Sequence, residues 1–379
     1  MTDQRQKLAS SVAAMPAHFL GGQHQTDVKP RLLTGDTPTG RLHLGHWVGS
    51  LENRVAMQDA YDCYFIIANV QAFTTRMDQP GEVHQNVMEI MLDYLAAGID
   101  PARSTIFLQS DIPAIAELTV FFSMLVPYSR VMRNPTIKDE IRDKGLGENY
   151  PFGFLLYPIS QVADILVFRP AVVPVGEDQI PHIEMTREVA RRFNQLYCQV
   201  DSHAKDADHL RQGGLFPIVE ARLGRSRRLV GMGAPGPDGN LPKMSKSLNN
   251  AIYLSDDPDT VTQKVMNMYT DPARLKVTDK GTVEGNPLWI FHDTFNQDKN
   301  WVEDAKARYR QGAIGDVACK RRLIEVLLEL IEPLRQRRLQ YEQDMTHVQG
   351  ILRAGTAKAN EAANQTLLLA KEAMKQIYF

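Results

Sequence analysis

The chain has 379 residues, 43% hydrophobic and 8% aromatic, and its 43 Lys plus Arg nearly balance 45 Asp plus Glu for a formal charge of −2. This is ordinary globular composition at a length that suggests two domains. The near-neutral balance excludes a duplex-coating basic protein, so any nucleic-acid contact must use a local basic patch. Cys63, Cys198 and Cys319 lie far apart and form no CxxC pair. They offer no zinc or iron–sulfur site and suit a reducing cytoplasm better than a disulfide framework. No apolar run approaches the ~18 residues of a membrane span.

At the start of the chain, Arg5 and Lys7 precede a weakly apolar stretch, Leu8 to Met15, broken by Ser10 and Ser11. That is too short and too interrupted for a secretory signal, and residues 1–28 read as a loose extension. Short apolar runs bounded by turn residues follow at Arg31–Thr34, Tyr61–Ala68, Ser104–Leu108 and Ala171–Val175. Between them lie helical patterns such as Val87, Ile90, Met91, Tyr94 and Leu95, at i, i+3, i+4, i+7 and i+8. Strands alternating with helices predict a parallel sheet covered on both faces. From Val200 to Lys243 Gly, Pro and basic residues dominate, which reads as loop. From about Asp256 the chain reads as helical. There Leu323, Ile324, Val326, Leu327, Leu330, Ile331 and Leu334 make one apolar stripe, and Lys320, Arg321, Arg322, Arg335, Arg337 and Arg338 decorate the other faces.

The first chemical motif is Thr34-Gly-Asp-Thr-Pro-Thr-Gly-Arg-Leu-His-Leu-Gly-His46, where a strand gives way to a helix. Gly35 and Gly40 allow close backbone approach, and His43 and His46 can both project at a helix N-terminus whose free N–H groups attract phosphate. Alone, the segment is also a glycine-rich turn with two surface histidines. The second motif, Lys243-Met-Ser-Lys-Ser247, sets two lysines and two hydroxyls in one short loop able to grip a polyphosphate. By itself it is equally a solvated loop, but in this order and after a parallel-sheet pattern the pair is not accidental.

A third set is Tyr157, Gln161 and Asp164, which at i, i+4 and i+7 share one helix face flanked by Leu155, Leu156, Ile165, Leu166 and Val167. Polar groups on a mostly buried helix need partners, which favours a ligand pocket over an exposed polar edge. Gly176-Glu-Asp-Gln179 follows a strand end, the ligand-facing edge of an open α/β sheet, although a plain polar turn has the same composition.

The first two motifs resemble the HIGH and KMSKS motifs of class I aminoacyl-tRNA synthetases. The match narrows to bacterial tryptophanyl-tRNA synthetases through Asn134-Pro-Thr-Ile-Lys-Asp-Glu140, Tyr157-Pro-Ile-Ser-Gln-Val-Ala-Asp164, Val173-Pro-Val-Gly-Glu-Asp-Gln179, Lys264-Val-Met-Asn-Met-Tyr-Thr-Asp271 and Gly355-Thr-Ala-Lys-Ala359. It covers the chain from about Val28 to the last helix. The resemblance implies a Rossmann-type α/β catalytic domain at 29–255 and a smaller helical domain on the tRNA-anticodon side at 256–352. The last helix, 353–379, would pack back on the catalytic domain. It further implies a cytoplasmic homodimer acting on L-tryptophan, ATP and tRNA(Trp), with Mg2+ arriving with ATP and no metal site of the protein's own.

Carried over residue by residue, catalysis would fall to His43, His46, Lys243 and Lys246. ATP would meet Thr37, Thr39, Gly45, His46, Gly176, Asp178, Lys243, Met244, Ser245, Lys246 and Ser247. Tryptophan would meet Leu33, Gly35, Tyr157, Gln161, Asp164, Val175 and Gln179, with Asp164 accepting from the indole N–H and Tyr157 and Gln179 at the ammonium group. An ionised Asp only accepts and indole Nε1–H only donates, so that pairing is chemically apt.

The sequence departs from the commoner bacterial pattern at Leu33, where an aromatic is frequent, at Thr37 in place of Gln, at Asn69 in place of Asp, and at Gln161 in place of Met. Three other readings stay open. A tyrosine-specific synthetase shares both motifs, but it would carry at position 33 a Tyr for the substrate phenol, where Leu33 stands. A small-molecule nucleotidyltransferase has no use for a long basic helical C-terminus. A catalytically idle regulatory paralogue would not need His43, His46, Lys243 and Lys246. The basic helix between Lys320 and Arg338 is expected to face tRNA phosphate near the anticodon, or else to be a solvated face balanced by Glu325, Glu329 and Glu332.

Overall fold

A computed structural model describes residues 29–143, 150–223, 229–236, 239–245 and 248–378. The expected extension at 1–28, Lys246 and Ser247, and the side chain of Asp178 lie outside the described residues. Strand β1 (Arg31–Asp36) leads into the short helix α1 (Leu44–His46), which continues through a π-type turn at Trp47–Leu51 into α2 (Glu52–Met57). Next come β2 (Asp62–Ile67), α3 (Asn69–Arg76), α4 (Pro80–Ala97), β3 (Ser104–Leu108), α5 (Pro113–Ser123), α6 (Tyr128–Met132) and α7 (Pro135–Asp143). The part of the chain that builds the sheet closes with α8 (Phe152–Leu166), β4 (Val172–Val175), α9 (Ile180–Tyr197) and β5 (Glu220–Leu223). Five helices follow: α10 (Pro258–Met266), α11 (Pro287–Phe295), α12 (Lys299–Gln311), α13 (Asp316–Glu342) and α14 (Met345–Ala373).

The sheet order is β3-β2-β1-β4-β5 and every pairing is parallel. The chain builds outward from β1 to β3, then returns to lay β4 on the other side of β1. The topological switch therefore lies between the carboxyl ends of β1 and β4, where open α/β sheets bind their ligands. The first motif and the Gly176–Gln179 segment issue from those two strand ends.

Strands covered on both faces read as continuous apolar runs rather than alternating ones. Cys63, Phe65 and Ile67 of β2 belong to one apolar cluster together with Leu32 and Ile106. Tyr64 and Ile66 belong to the other, with Leu33, Phe107 and Val173. Helix α4 shows the local logic: Pro80 opens it, Gly98 closes it in the left-handed region at φ 101, and Val87, Ile90, Met91, Tyr94 and Leu95 are all buried.

Two expectations change. The stretch expected to be loop from Val200 to Lys243 contains β5, which pairs with β4 from Glu220 to Leu223. It is a short, mostly exposed edge strand, so it carries no apolar signature. The cations of α13 are not a uniform outer face. Lys320 is buried and donates to the carbonyls of Met266 and Met268 and to Thr270 Oγ1. Arg337 Nε donates to Ala96 O at 2.6 Å, and Arg338 is buried among carboxylates of α4. Arg335 pairs with Glu332 and Arg322 with Glu325 on the same helix.

The first cluster runs without a break from the sheet into the helical part, taking in Trp289, Phe291, Tyr309, Leu323 and Val348. The last helix, α14, lies along the edge strand β3. A side chain at Gly355 would meet Ile106 O at 2.0 Å, and Thr356 Oγ1 accepts the Leu108 N–H at 3.1 Å.

Candidate active site

The residues after β1 make a tight entry to α1. Thr39 N–H donates to Thr37 O at 2.8 Å, and Gly40 takes φ 126, a conformation that favours glycine. His43 is the N-cap of α1: its Nδ1 accepts the Gly45 N–H at 3.1 Å, while His46 Nδ1 accepts the His43 N–H at 3.1 Å. The two imidazoles thus satisfy donors that a helix start otherwise leaves bare, with ring centroids 3.9 Å apart. A side chain at Gly45 would strike the His43 ring at 2.9 Å. The glycine between the histidines is needed for that geometry.

Beneath this turn, Asp36 binds Arg54 Nη1 at 2.5 Å and accepts from the Tyr94 hydroxyl at 2.7 Å. Arg54 also donates to Gly35 O at 3.1 Å. Burial alone would raise the Asp36 carboxyl, but the Arg54 charge, the His46 charge and the bonds from Arg54 and Tyr94 bring it down to about 2. Gly35 itself lies in register with Ile66, whose carbonyl oxygen would be 1.9 Å from any Cβ there. Close strand approach is a sufficient reason for that glycine.

The second motif comes to the first. Leu44 N–H donates to Ile252 O at 2.9 Å and Leu254 N–H to Leu42 O at 3.0 Å, an antiparallel bridge centred on His43 and Tyr253. Met244 is buried, its Cβ 3.7 Å from where a Gly45 Cβ would stand. Asn250, also buried, holds the described end of the loop: its Oδ1 accepts the Ser245 N–H at 2.7 Å and its Nδ2 donates to Lys243 O at 3.1 Å. Lys243 is exposed, its backbone bridged to Val230.

On the other side of β1 lies the expected amino-acid pocket. Leu33, Tyr157 and Val175 share the second apolar cluster. Asp164 is 4% exposed, and both its oxygens accept from Gln109 Nε2, at 2.8 and 3.0 Å. Gln109 cannot turn its amide over, because its Oε1 accepts the N–H groups of Val70 and Gln71 at the start of α3. Burial pushes the Asp164 carboxyl up to about 7, with the Gln109 bond pulling the other way. Gln161 Nε2 donates to Gln179 Oε1 at 3.3 Å, leaving Gln161 Oε1 buried with no protein donor. The Tyr157 hydroxyl is raised by burial and then by the neighbouring Glu140 carboxylate. Its ring packs 5.6 Å from His182, which contacts Asn134 Nδ2 at 3.5 Å.

At Gly176 the backbone leaves β4 extended, and Gln179 N–H turns back to Gly176 O at 3.0 Å. Asn69, where the commoner pattern has Asp, accepts the Ser110 N–H at 3.0 Å, a task for which an amide oxygen suffices.

The residues that sequence reasoning missed are those standing behind the site: Asp36, Arg54 and Tyr94 under the histidines, Asn250 under the lysine loop, and Gln109 behind Asp164. Gln109 follows the carboxyl end of β3 directly, and that position was its available signal.

The family model for class I tRNA synthetases (W and Y) matches residues 25–332. The tryptophan–tRNA ligase of Streptococcus pneumoniae is 47% identical over 356 residues, covering 93% of this chain and 99% of its own. That of Lactococcus lactis is 48% identical over 355 residues, with the same coverage of both chains. Among solved structures, a tryptophanyl-tRNA synthetase from Campylobacter jejuni, complexed with ADP and tryptophan, superposes with a TM-score of 0.75 at 27% identity. It covers 91% of this chain and 99% of its own. With both signature segments meeting at the switch point of a parallel sheet, the chain belongs to the class I tRNA synthetases and, within them, to the bacterial tryptophanyl-tRNA synthetases.

Proposed function

We propose that the protein activates L-tryptophan with ATP to tryptophanyl-adenylate and pyrophosphate, then transfers the tryptophan to the 3′ end of tRNA(Trp). The observation that carries this reading is the antiparallel bridge between residues 42–44 and 252–254, which seats the histidine turn against the lysine loop. The tryptophan carboxylate attacks the α-phosphorus in line, the bond to the β-phosphate oxygen breaks, and pyrophosphate departs. A terminal ribose hydroxyl of the tRNA then attacks the activated carbonyl, and AMP leaves.

Little covalent chemistry falls to the protein, so its part is positioning and stabilisation of phosphate charge. His43 and His46 form one rigid face toward the phosphates, while Lys243 and Lys246 supply positive charge from the loop. Thr37, Thr39, Met244, Ser245, Ser247, Gly176 and Asp178 are assigned to the nucleotide. Leu33, Gly35 and Val175 wall the indole, Asp164 accepts its N–H, and Tyr157, Gln161 and Gln179 surround the ammonium group. Magnesium enters as part of the substrate MgATP, held mostly by phosphate oxygens and water. Among the described residues no group of three His, Cys, Asp or Glu side chains gathers to hold a metal.

The assembly is assigned as a homodimer, supported by the exposed apolar side chains Val120 on α5, Met124 just after it, Tyr128 on α6 and Phe152 at the start of α8. Sedimentation at micromolar concentration tests it, a monomer overturning the assignment. Action in the cytoplasm is part of the same proposal, and no helix among the described residues is long and apolar enough to cross a membrane. The helical part from 256 to 352 is assigned to the tRNA, through cations that α13 leaves outward, such as the exposed Arg321.

ATP–pyrophosphate exchange over the amino acids tests the chemistry. Tryptophan should support exchange, and faster exchange with tyrosine would overturn the substrate while leaving the class intact. Lys246→Ala should slow exchange by about 2.7–4 kcal/mol of transition-state stabilisation while sparing tryptophan binding.

A further inference from the structure

Leu42 carries the chain into the histidine turn, and its N–H donates to Asp93 Oδ2 at 2.6 Å. Asp93 lies on α4 and is 1% exposed. Its other oxygen accepts from Arg338 Nη1 at 2.5 Å. Arg338 comes from α13 and is 5% exposed. It also donates to Glu89 Oε2 at 2.6 Å, to Glu89 O at 3.3 Å and to Glu342 Oε1 at 2.8 Å. The chain therefore buries a carboxylate and a guanidinium at the back of a backbone amide adjoining His43.

Such a pair is a poor way to gain stability, since apolar packing of the same volume often does as well or better. What it does offer is direction. One Asp93 oxygen is taken by a guanidinium that Glu89 and Glu342 hold in turn, so the other is presented in one place, and here that place is the Leu42 N–H. Leu42 O in turn accepts from Leu254 N–H at 3.0 Å, so the same peptide segment begins the bridge that joins the two motifs.

We infer that Asp93 is a positioning residue for the His43–His46 turn and that Arg338 acts through it, so that the seating of the Arg338 end of helix α13 sets the geometry of the phosphate-binding histidines. This rests on the reading of that turn as the ATP site.

The test uses the full chain with Asp93→Asn, Arg338→Gln, the double variant, and Lys320→Met, which removes a different buried cation of α13. Thermal midpoint, tryptophan affinity by calorimetry, and kcat and KM for ATP in pyrophosphate exchange are measured for each. A misplacement of about 1 Å can cost up to ~10²-fold, so a fall of about tenfold in kcat is expected for each single variant, with tryptophan affinity within about twofold. The double variant should be no slower than the slower single, because both act on one path. Arg338→Lys should restore part of kcat, and it replaces Arg338→Gln if that variant does not fold. Lys320→Met should lower the midpoint and leave kcat alone. The proposal is overturned if the Asp93 and Arg338 variants only lower the midpoint, as Lys320→Met does, or if their effects on kcat multiply. Absence of tryptophan-dependent exchange in the wild-type protein would instead remove the reading on which the inference stands.

Discussion

Asp164 is held between burial, which pushes its carboxyl up to about 7, and the Gln109 amide, which pulls it down. Two opposite pH dependences follow from one residue. Its folded value lies above the ordinary 3.8, so proton uptake favours folding. That contribution is fully present below 3.8 and is lost as pH rises through about 7. In the role proposed for it, Asp164 accepts the indole N–H best when ionised, so tryptophan binding should weaken as pH falls through about 7, which calorimetric titration across neutrality would reveal. Asp164→Asn separates the two. It should raise the thermal midpoint at mildly alkaline pH and flatten its pH dependence, yet weaken tryptophan activation by about 1.5–3 kcal/mol. A lower midpoint together with unchanged activation would refute this role for Asp164. The stripe of Tyr157, Gln161 and Asp164 was legible because helical spacing alone puts i, i+4 and i+7 on one face. Gln109 was not, because its contact with Asp164 spans 55 residues, and its place just after β3 names no partner.

At the scale of elements, the same distance effect explains the misreading of α13. A basic side chain on a helix looks solvated in sequence, but its stem can lie buried while the head meets distant acceptors. The carboxylate that claims Arg338 is 245 residues earlier, and the carbonyls that claim Lys320 are over 50 residues earlier. Charge reversal at Arg338 would therefore impair pyrophosphate exchange itself and cannot report on tRNA contact alone. Reversal at Arg321 should weaken tRNA charging and spare exchange, and equal charging by both proteins would count against that surface.

The fit of α14 against β3 supplies another check. Gly355→Ala puts a methyl group 2.0 Å from Ile106 O, so the helix must move. Urea denaturation should show a loss of about 1–3 kcal/mol, the usual range for overpacking, whereas an unchanged midpoint would mean the contact is loose. The β1, β2, β3 and β4 segments were readable as apolar runs. The edge strand β5 was not, since only its backbone pairing, and no buried face, makes it a strand.

For the whole molecule, the parallel sheet followed from strand–helix alternation, whereas the strand order that sets its switch point did not. The division near residue 255, drawn where the chain begins to read as helical, crosses a continuous apolar cluster that joins Leu32, Phe65 and Ile106 to Trp289, Leu323 and Val348. A helical pattern reports what a segment contains and not what it packs against. A shared core should unfold as one body, so calorimetry is expected to give a single transition for the catalytic and helical parts together. Two well-separated transitions would show the cluster to be weaker than its continuity suggests.

The placement of α14 also bears on how the chain is made. β3 is an edge strand whose Leu108 N–H is covered by Thr356, 248 residues later in the chain. During synthesis β3 emerges long before its cover, so every ribosome making this protein carries a long nascent chain with a bare sheet edge. Unpaired strand edges template association between chains. Messages broken before the codon for Met345 should therefore yield products that fold their sheet but stick to one another, and a trans-added α14 peptide should restore their solubility.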